Sequence, residues 1–412
     1  MSDVSDDFPR LRPVDAFPVE VEGRRVVCLR DPEGLAEGML MVPPELLPIL
    51  AMFDGQRSIL DIQAAFTRQS GTILPSGKLR EIVRQLDEAL FMEGAFLTAH
   101  RRRVMDAFRD APVRPAAHAG QSYEADPGAL RAWMDAFFDP PEGPGRPEAN
   151  GRAKSLSGVI APHIDLRCGG PCFAWAYREV AEASDADLFL VFGTGHAVVQ
   201  TPYALTRKDY DTPFGPVRAD RAFIDALAAR YSGDLFAEEL GHRTEHSIEF
   251  QAVFLKYLFP DREVSFVPVL CGSFHEMIAG RTSPMATEAV RGFVEALRET
   301  IREDGRRVCT IAGVDFAHVG TKFGDAGPMT PTFLEAVASE DRERIAALEA
   351  LDAEAFFETI SRDGDRRRIC GTSSIYTMLR VMDASEGKLL RYDRTEDPRT
   401  DSAVTFASMA FY

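Results

Sequence analysis

The hydrophobic positions of this chain change character near residue 110. Before it they come in short pieces. Val26, Val27, Cys28 and Leu29 form an apolar run suited to a strand. Asp54-Gly55 is a turn signal between two helical stretches, one around Leu46, Leu47 and Leu50, the other over residues 59–66. Leu79, Ile82, Val83, Leu86 and Leu90 recur at offsets 0, 3, 4, 7 and 11, one apolar face of a third helix. Phe96 and Leu97 follow as a short closing strand. Strand, three helices and strand predict a small winged-helix-like α+β domain over residues 1–110.

From about residue 113 to 412 the pattern is that of a larger α/β domain. Residues 111–125 and 139–156 are rich in Pro, Gly and Ala, and Pro140-Pro141-Glu142-Gly143-Pro144-Gly145 reads as an exposed loop. Between them Leu130, Trp133, Met134 and Phe137 sit at helical spacing. Near-continuous apolar runs predict strands at 156–161, 187–192, 264–270 and 308–314, with a last one at 404–411. Amphipathic stretches predict helices at 173–183, 222–231, 248–259, 287–302 and 331–350. Apolar strands separated by such helices favour a buried sheet with helices on both faces.

Charge and composition then remove several functions. The 412 residues carry 47 Lys and Arg against 64 Asp and Glu, a net of −17. Residues 1–110 alone hold 14 basic and 18 acidic side chains, so neither domain offers a broad footprint for nucleic acid. The one basic cluster, Arg101-Arg102-Arg103, opens a solvated connecting helix. No apolar run approaches the roughly 20 residues that cross a bilayer. The first residues are acidic, where a secretory signal is basic and then apolar. Six scattered cysteines make no disulfide framework in a chain of this length, and the expected location is cytoplasmic.

Candidate chemistry gathers at predicted strand ends. His163 and Asp165 follow the first strand, Gly193-Thr194-Gly195-His196 the second, and Asp315 and His318 the fourth. Side chains just past the carboxyl ends of parallel strands converge on one crevice. The 33 residues between His163 and His196, about one βαβ unit, suit two adjacent strands presenting both imidazoles to one point. Taken singly, a histidine at a strand end is an ordinary hydrogen-bonded residue; the shared position raises the functional case. Gly193-Thr194-Gly195 lacks the third glycine of a dinucleotide loop and suits a tight turn instead.

Glu245-His246-Ser247-Ile248-Glu249 begins a helix, where acids favour the dipole. His246 there suits a general base or substrate contact, oriented by Glu245 or Glu249. Cys370 precedes the apolar helix 375–382, a place that favours thiolate, against the commoner fate of a buried small hydrophobe.

These residues carry a resemblance. From about Arg114 to Tyr412 the chain resembles the Memo family, in particular its AmmeMemoRadiSam system protein B group. The matching motifs occur in the family's order: Arg114-Pro115-Ala116-Ala117-His118-Ala119-Gly120-Gln121-Ser122-Tyr123, Ala161-Pro162-His163, Gly193-Thr194-Gly195-His196, Asp211-Thr212-Pro213-Phe214-Gly215, Glu245-His246-Ser247-Ile248-Glu249, Asp315-Phe316-Ala317-His318 and Ile369-Cys370-Gly371. The resemblance implies a fold related to class III extradiol dioxygenases and a metal held by His163, His196 and Cys370. Iron is the first expectation, with copper or zinc as alternatives. His246 and His318 match polar residues of the same cavity, with Asp315 or Glu245 as orienting groups. Radical SAM and AMMECR-type proteins are the partners implied. Ala197, Ile164-Asp165 and Ala317 depart from the family pattern. Residues 1–110 resemble PqqD-like domains, which implies a peptide partner taken by strand addition.

Three functions follow as expectations. The first is a metal-dependent redox enzyme acting on a small molecule or peptide side chain, with His246 and His318 moving protons. The second is a metal-binding adaptor of a modification system, without catalysis. The third is a metal-free hydrolase using Cys370 with His246 or His318. A thiolate where the dioxygenase relatives place a carboxylate favours softer ions and oxidises more easily.

Overall fold

The computed structural model describes residues 7–21, 23–31, 34–36, 38–148, 155–198 and 200–412, in two units, Met1–Asp110 and Ala111–Tyr412. The first unit opens with an antiparallel sheet of β1 (Asp15–Val21), β2 (Arg24–Arg30) and β3 (Met39–Val42), with β2 in the middle. Four helices follow: α1 (Leu47–Leu50), α2 (Ile59–Ser70), α3 (Ser76–Glu88) and α4 (Ala95–Asp110). Ser58 caps α2 reciprocally with Asp61, and Gly71 ends it in the left-handed region, so both helix ends are satisfied. Leu79, Val83 and Leu86 are the buried face of α3.

The expected closing strand at Phe96 and Leu97 is instead the start of α4. Leu97, Val104 and Phe108 recur at offsets 0, 7 and 11, a helical face, and two adjacent apolar residues are too few to set a strand against it. Arg101, Arg102 and Arg103 lie in the same helix.

In the second unit, β4 (Val113–Arg114) and α5 (Pro127–Phe137) lead into β5 (Gly158–Ala161), α6 (Leu166–Ala183) and β6 (Leu188–Thr194). Short strands β7 (Tyr203–Leu205), β8 (Asp209–Tyr210) and β9 (Arg218–Ala219) precede α7 (Arg221–Arg230) and α8 (His246–Leu258). Then come β10 (Ser265–Cys271), α9 (His275–Gly280), α10 (Glu288–Asp304), β11 (Val308–Gly313) and β12 (His318–Gly320). Helices α11 (Pro331–Glu349), α12 (Ala353–Ser361) and α13 (Thr372–Val381) and a long hairpin of β13 (Gly387–Asp397) and β14 (Ser402–Phe411) complete the unit.

Among the described residues nine strands form one mixed sheet, with the central order β12-β14-β5-β11-β6-β10-β7, β13 beside β14 and β9 beside β10. β5, β11, β6 and β10 run parallel, and β14 closes on β5 antiparallel. Helices flank the sheet, α6 and α8 packing with each other and α13 with α10 and α12. β5 and β6 are buried at every position, which is why their runs are apolar without alternation. The α/β class with helices on both faces is the one expected of Memo proteins and their class III extradiol dioxygenase relatives. No helix among the described residues is long and apolar enough to cross a membrane.

One topological expectation fails. β5 and β6, which lead to His163 and His196, are not neighbours, because β11 lies between them. The chain skips a place after β5, and the later strand fills it.

Candidate metal centre

Two strands' width separates the ends of β5 and β6, roughly 9–10 Å, so the histidines meet only because the surroundings bring them in. Gly313 ends β11 between them, and Gly193 lies in β6. A Cβ on Gly313 would sit 2.5 Å from Ser247 O and 2.7 Å from Gln251 Nε2. A Cβ on Gly193 would sit 2.5 Å from Ser247 Oγ and from Ile248 Cγ1. These two side-chain-free positions let the N-terminal turn of α8 rest directly on the sheet ends. Gln251 Nε2 donates to Pro162 O at 2.9 Å and Ser247 Oγ to Thr194 O at 3.0 Å, tying α8 to both flanking strands.

His246, the first residue of α8, thereby lands between the other two histidines. The rings of His163, His196 and His246 form a triangle with centroids 5.0–5.3 Å apart. One ligand nitrogen from each lies within 4.8 Å of the other two. Cys370 joins from the turn before α13, its Sγ 3.4 Å from His163 Nε2 and 3.5 Å from Asp315 O.

His163, His196 and His318 are oriented by hydrogen bonds through Nδ1, and His246 Nδ1 stands beside the Glu245 carboxylate. His163 Nδ1 donates to Gly313 O at 3.0 Å. His196 Nδ1 meets Glu245 Oε2 at 2.9 Å, and His246 Nδ1 lies 3.3 Å from Glu245 Oε1. Glu245 is also the N-cap of α8, accepting Ser247 N–H at 3.0 Å. His318 Nδ1 faces Phe316 O at 3.2 Å and Arg368 O at 3.1 Å. Asp315 Oδ1 accepts the backbone N–H groups of His163 and Ile164, and its Oδ2 lies 3.6 Å from His163 Nε2. Second-neighbour contacts of this kind fix the tautomer and leave the remaining nitrogen as a lone-pair donor.

Burial sets the protonation states. It drives His163 down to about 3, helped by the charge on His196, and holds His246 well below and His318 below the usual imidazole range. Burial lifts the Asp315 carboxyl to about 6. The same burial would raise Glu245, but His196, His246 and Ser247 N–H outweigh it and keep that carboxylate ionised. Cys370 departs from the thiolate expectation: burial, with Asp315 nearby, pushes its thiol well above the ordinary value. The helix end behind it does not overcome desolvation.

Glu249, expected as an alternative orienting group, does other work. It is fully buried against the Arg114 guanidinium and accepts from Tyr123 Oη and from His118 N at 2.9 Å. Arg114 also donates to His242 O, Pro115 O and Glu245 O at 2.8–2.9 Å. This ion pair clamps residues 114–123 over the first turns of α8, and it brings His118 up to the centre, a residue whose place the sequence pattern does not reveal. The His118 ring packs edge-on to His246, centroids 5.7 Å apart, and its Nε2 meets Thr244 O at 2.9 Å. The signal was the Arg114 to Tyr123 motif itself, whose purpose needs the partner helix.

A cleft of about 670 Å³ opens from His196 and Cys370, walled by Val198, Phe274, Met277 and Arg368 among others. Fold and site together define an α/β protein with a histidine-rich crevice at the strand ends. A family model described as Memo-like protein matches residues 114–410, and the chain belongs to the Memo family. A MEMO1 family protein of Aquifex aeolicus is 30% identical over 96% of this chain and 98% of its own. MEMO1 family proteins of Methanopyrus kandleri and Methanothermobacter thermautotrophicus are 31% and 28% identical, each over 72% of this chain and 98% and 100% of their own lengths.

Proposed function

We propose that the second unit binds a transition metal, iron before copper or zinc, and works as a redox enzyme related to class III extradiol dioxygenases. The observation that carries this is the convergence of the His163, His196 and His246 nitrogens within 4.8 Å, with Cys370 Sγ 3.4 Å from His163 Nε2. In this reading His163, His196 and Cys370 hold the ion, and His246 and His318 stand beside it to take and return protons. Burial keeps His163, His246 and His318 neutral, and neutral imidazole is the form that ligates. Metal coordination deprotonates a thiol outright, so the raised Cys370 is compatible with a ligand but poor for a metal-free nucleophile. A redox-active ion held by three protein ligands would supply electron transfer and open positions for substrate. Glu245 holds His196 and His246 in place, and Asp315 holds the His163 loop.

The system around it, in the same reading, includes radical SAM and AMMECR-type proteins and is cytoplasmic. The first unit is a PqqD-like, winged-helix-type module that takes a peptide on the free edge of β3, where Met39 and Met41 are exposed. A non-catalytic adaptor would share this metal but show no turnover.

Anaerobic purification followed by elemental analysis tests the centre. Wild type is expected near one ion per chain; His163→Ala, His196→Ala and Cys370→Ser are expected to lose most of it, while His246→Ala keeps the ion and loses turnover. Equal metal in all five preparations would sink the site. Loss in His246→Ala with retention in Cys370→Ser would exchange the roles of those two residues.

A further inference from the structure

The turn that delivers Cys370 is held in an unusual way. Asp365 and Arg368 both adopt left-handed backbone conformations, with φ of 55° and 54°. Glycine takes that conformation without strain, whereas a long side chain does so at a cost. The chain nevertheless keeps an arginine at 368, and its guanidinium is engaged. Nη1 donates to His318 O at 3.1 Å and Nη2 to Asp325 Oδ1 at 2.9 Å. Asp325 in turn accepts Gly320 N–H at 2.8 Å. The backbone completes the grip: His318 N–H donates to Arg367 O at 2.8 Å, and Arg368 O faces His318 Nδ1 at 3.1 Å. Asp365 Oδ1 accepts Ile369 N–H at 2.8 Å, immediately before Cys370. His318 is thus gripped at its N–H, its carbonyl and its ring by two residues that stand just ahead of Cys370.

We propose that Arg368 is a positioning residue: its guanidinium locks the 318–325 segment to the 365–370 turn, so that His318 and the Cys370 sulfur hold a fixed relation across the centre. The inference rests on the metal-binding reading given above. Arg368 touches no ligand atom. It acts through the His318 carbonyl, through Asp325 and through the register of the turn. Its fork supplies two directed bonds at once, which a lysine cannot reproduce.

Arg368→Gly separates this role from simple scaffolding, because glycine suits the backbone at that position while removing the fork. The full chain is titrated anaerobically with Co(II), reading the thiolate-to-cobalt absorption in the near ultraviolet, with thermal unfolding of the metal-free protein beside it. The expected result is Co(II) binding weaker by about 10-fold or more, as for other residues that support ligands from behind, with a shifted or weakened thiolate band and an unfolding midpoint close to wild type. Arg368→Lys is expected to fall between, and it carries the comparison if the glycine variant does not fold. Arg366→Ala is the control from the same turn, since Arg366 pairs with Glu340 and Asp363 on the surface and is expected to leave the spectrum unchanged. Wild-type affinity and an unaltered band in both Arg368 variants would overturn the inference while leaving the metal site standing. Failure of the wild type itself to bind Co(II) would overturn the metal reading and the inference with it.

Discussion

Glu245 shows how closely capping and chemistry can be joined in one residue. As N-cap it satisfies a first-turn N–H of α8, and the same carboxylate faces both His196 and His246. Sequence placed Glu245, His246, His163, His196, Asp315 and Cys370 near one crevice, and they do come together. Two residue-scale features were out of its reach. Glu249 reads like Glu245 in the motif, yet a helix turn later it faces Arg114. Cys370 sits at a helix start, but its ionisation depends on burial that no spacing reveals.

His242 is a third such residue, and it yields a prediction. It is fully buried, donating Nε2–H to Ala204 O at 3.0 Å and accepting from Tyr210 Oη at 2.7 Å. Burial, with Arg114 nearby, lowers it to about 3. Below pH 6.5 the unfolded chain takes up a proton at this site and the folded chain does not, so stability falls as pH drops from about 6.5 toward 3. The slope is about 1.4 kcal/mol per pH unit well below 6.5. Urea unfolding of wild type and His242→Gln at pH 7 and pH 5 is therefore expected to show the wild-type advantage shrinking by about 2 kcal/mol. A difference that does not move with pH would mean His242 takes up its proton in the fold as readily as in the unfolded chain.

At the scale of elements, the strongest joint is between residues 114–123 and α8. Breaking a buried ion pair by removing one partner costs about 3–5 kcal/mol, because the other charge is left in a dry site. Arg114→Ala strips Glu249 of its counter-charge and leaves His242 O, Pro115 O and Glu245 O without their donor. The expected result is a loss of that size, seen as a large drop in the thermal midpoint, with Arg114→Lys giving little recovery because one ammonium cannot replace the fork. A change below about 1 kcal/mol would mean the pair is solvated and the clamp is made elsewhere. The elements themselves were legible where burial is two-sided: β6, β10 and β11 appear as apolar runs, and α10 and α11 as periodic ones. β1, β3 and β13 were not. β1 carries Pro18, β3 is four residues long, and β13 is mostly polar and half-exposed, so none leaves a continuous apolar or clean alternating trace. Strand order was likewise invisible, since it depends on where β11 returns, more than a hundred residues after β6.

At the scale of the whole molecule, the two units differ in what they leave uncovered. Each has its own core: one set of buried apolar residues runs from Val27 to Met92, another from Tyr123 to Phe411. Large exposed hydrophobics among the described residues, Phe8, Val21, Met39, Met41, Leu60, Ile73, Phe96 and Met105, all belong to the first unit. The second unit shows none among its described residues although it is far larger. The Methanopyrus and Methanothermobacter relatives are matched over nearly their full lengths by 72% of this chain, about the size of the second unit, whereas the Aquifex protein matches across 96%. A core that closes without residues 1–110, and relatives of about that length, argue that the second unit is a complete folding body. Residues 111–412 expressed alone are therefore expected to unfold cooperatively, with a midpoint within a few degrees of the same transition in the full chain, and to carry the same metal per chain after anaerobic purification. The exposed apolar side chains leave with the first unit, so the fragment is also expected to bind less of a hydrophobic dye such as ANS. A fragment that aggregates, or folds but loses its metal, would show that the first unit takes part in forming the centre.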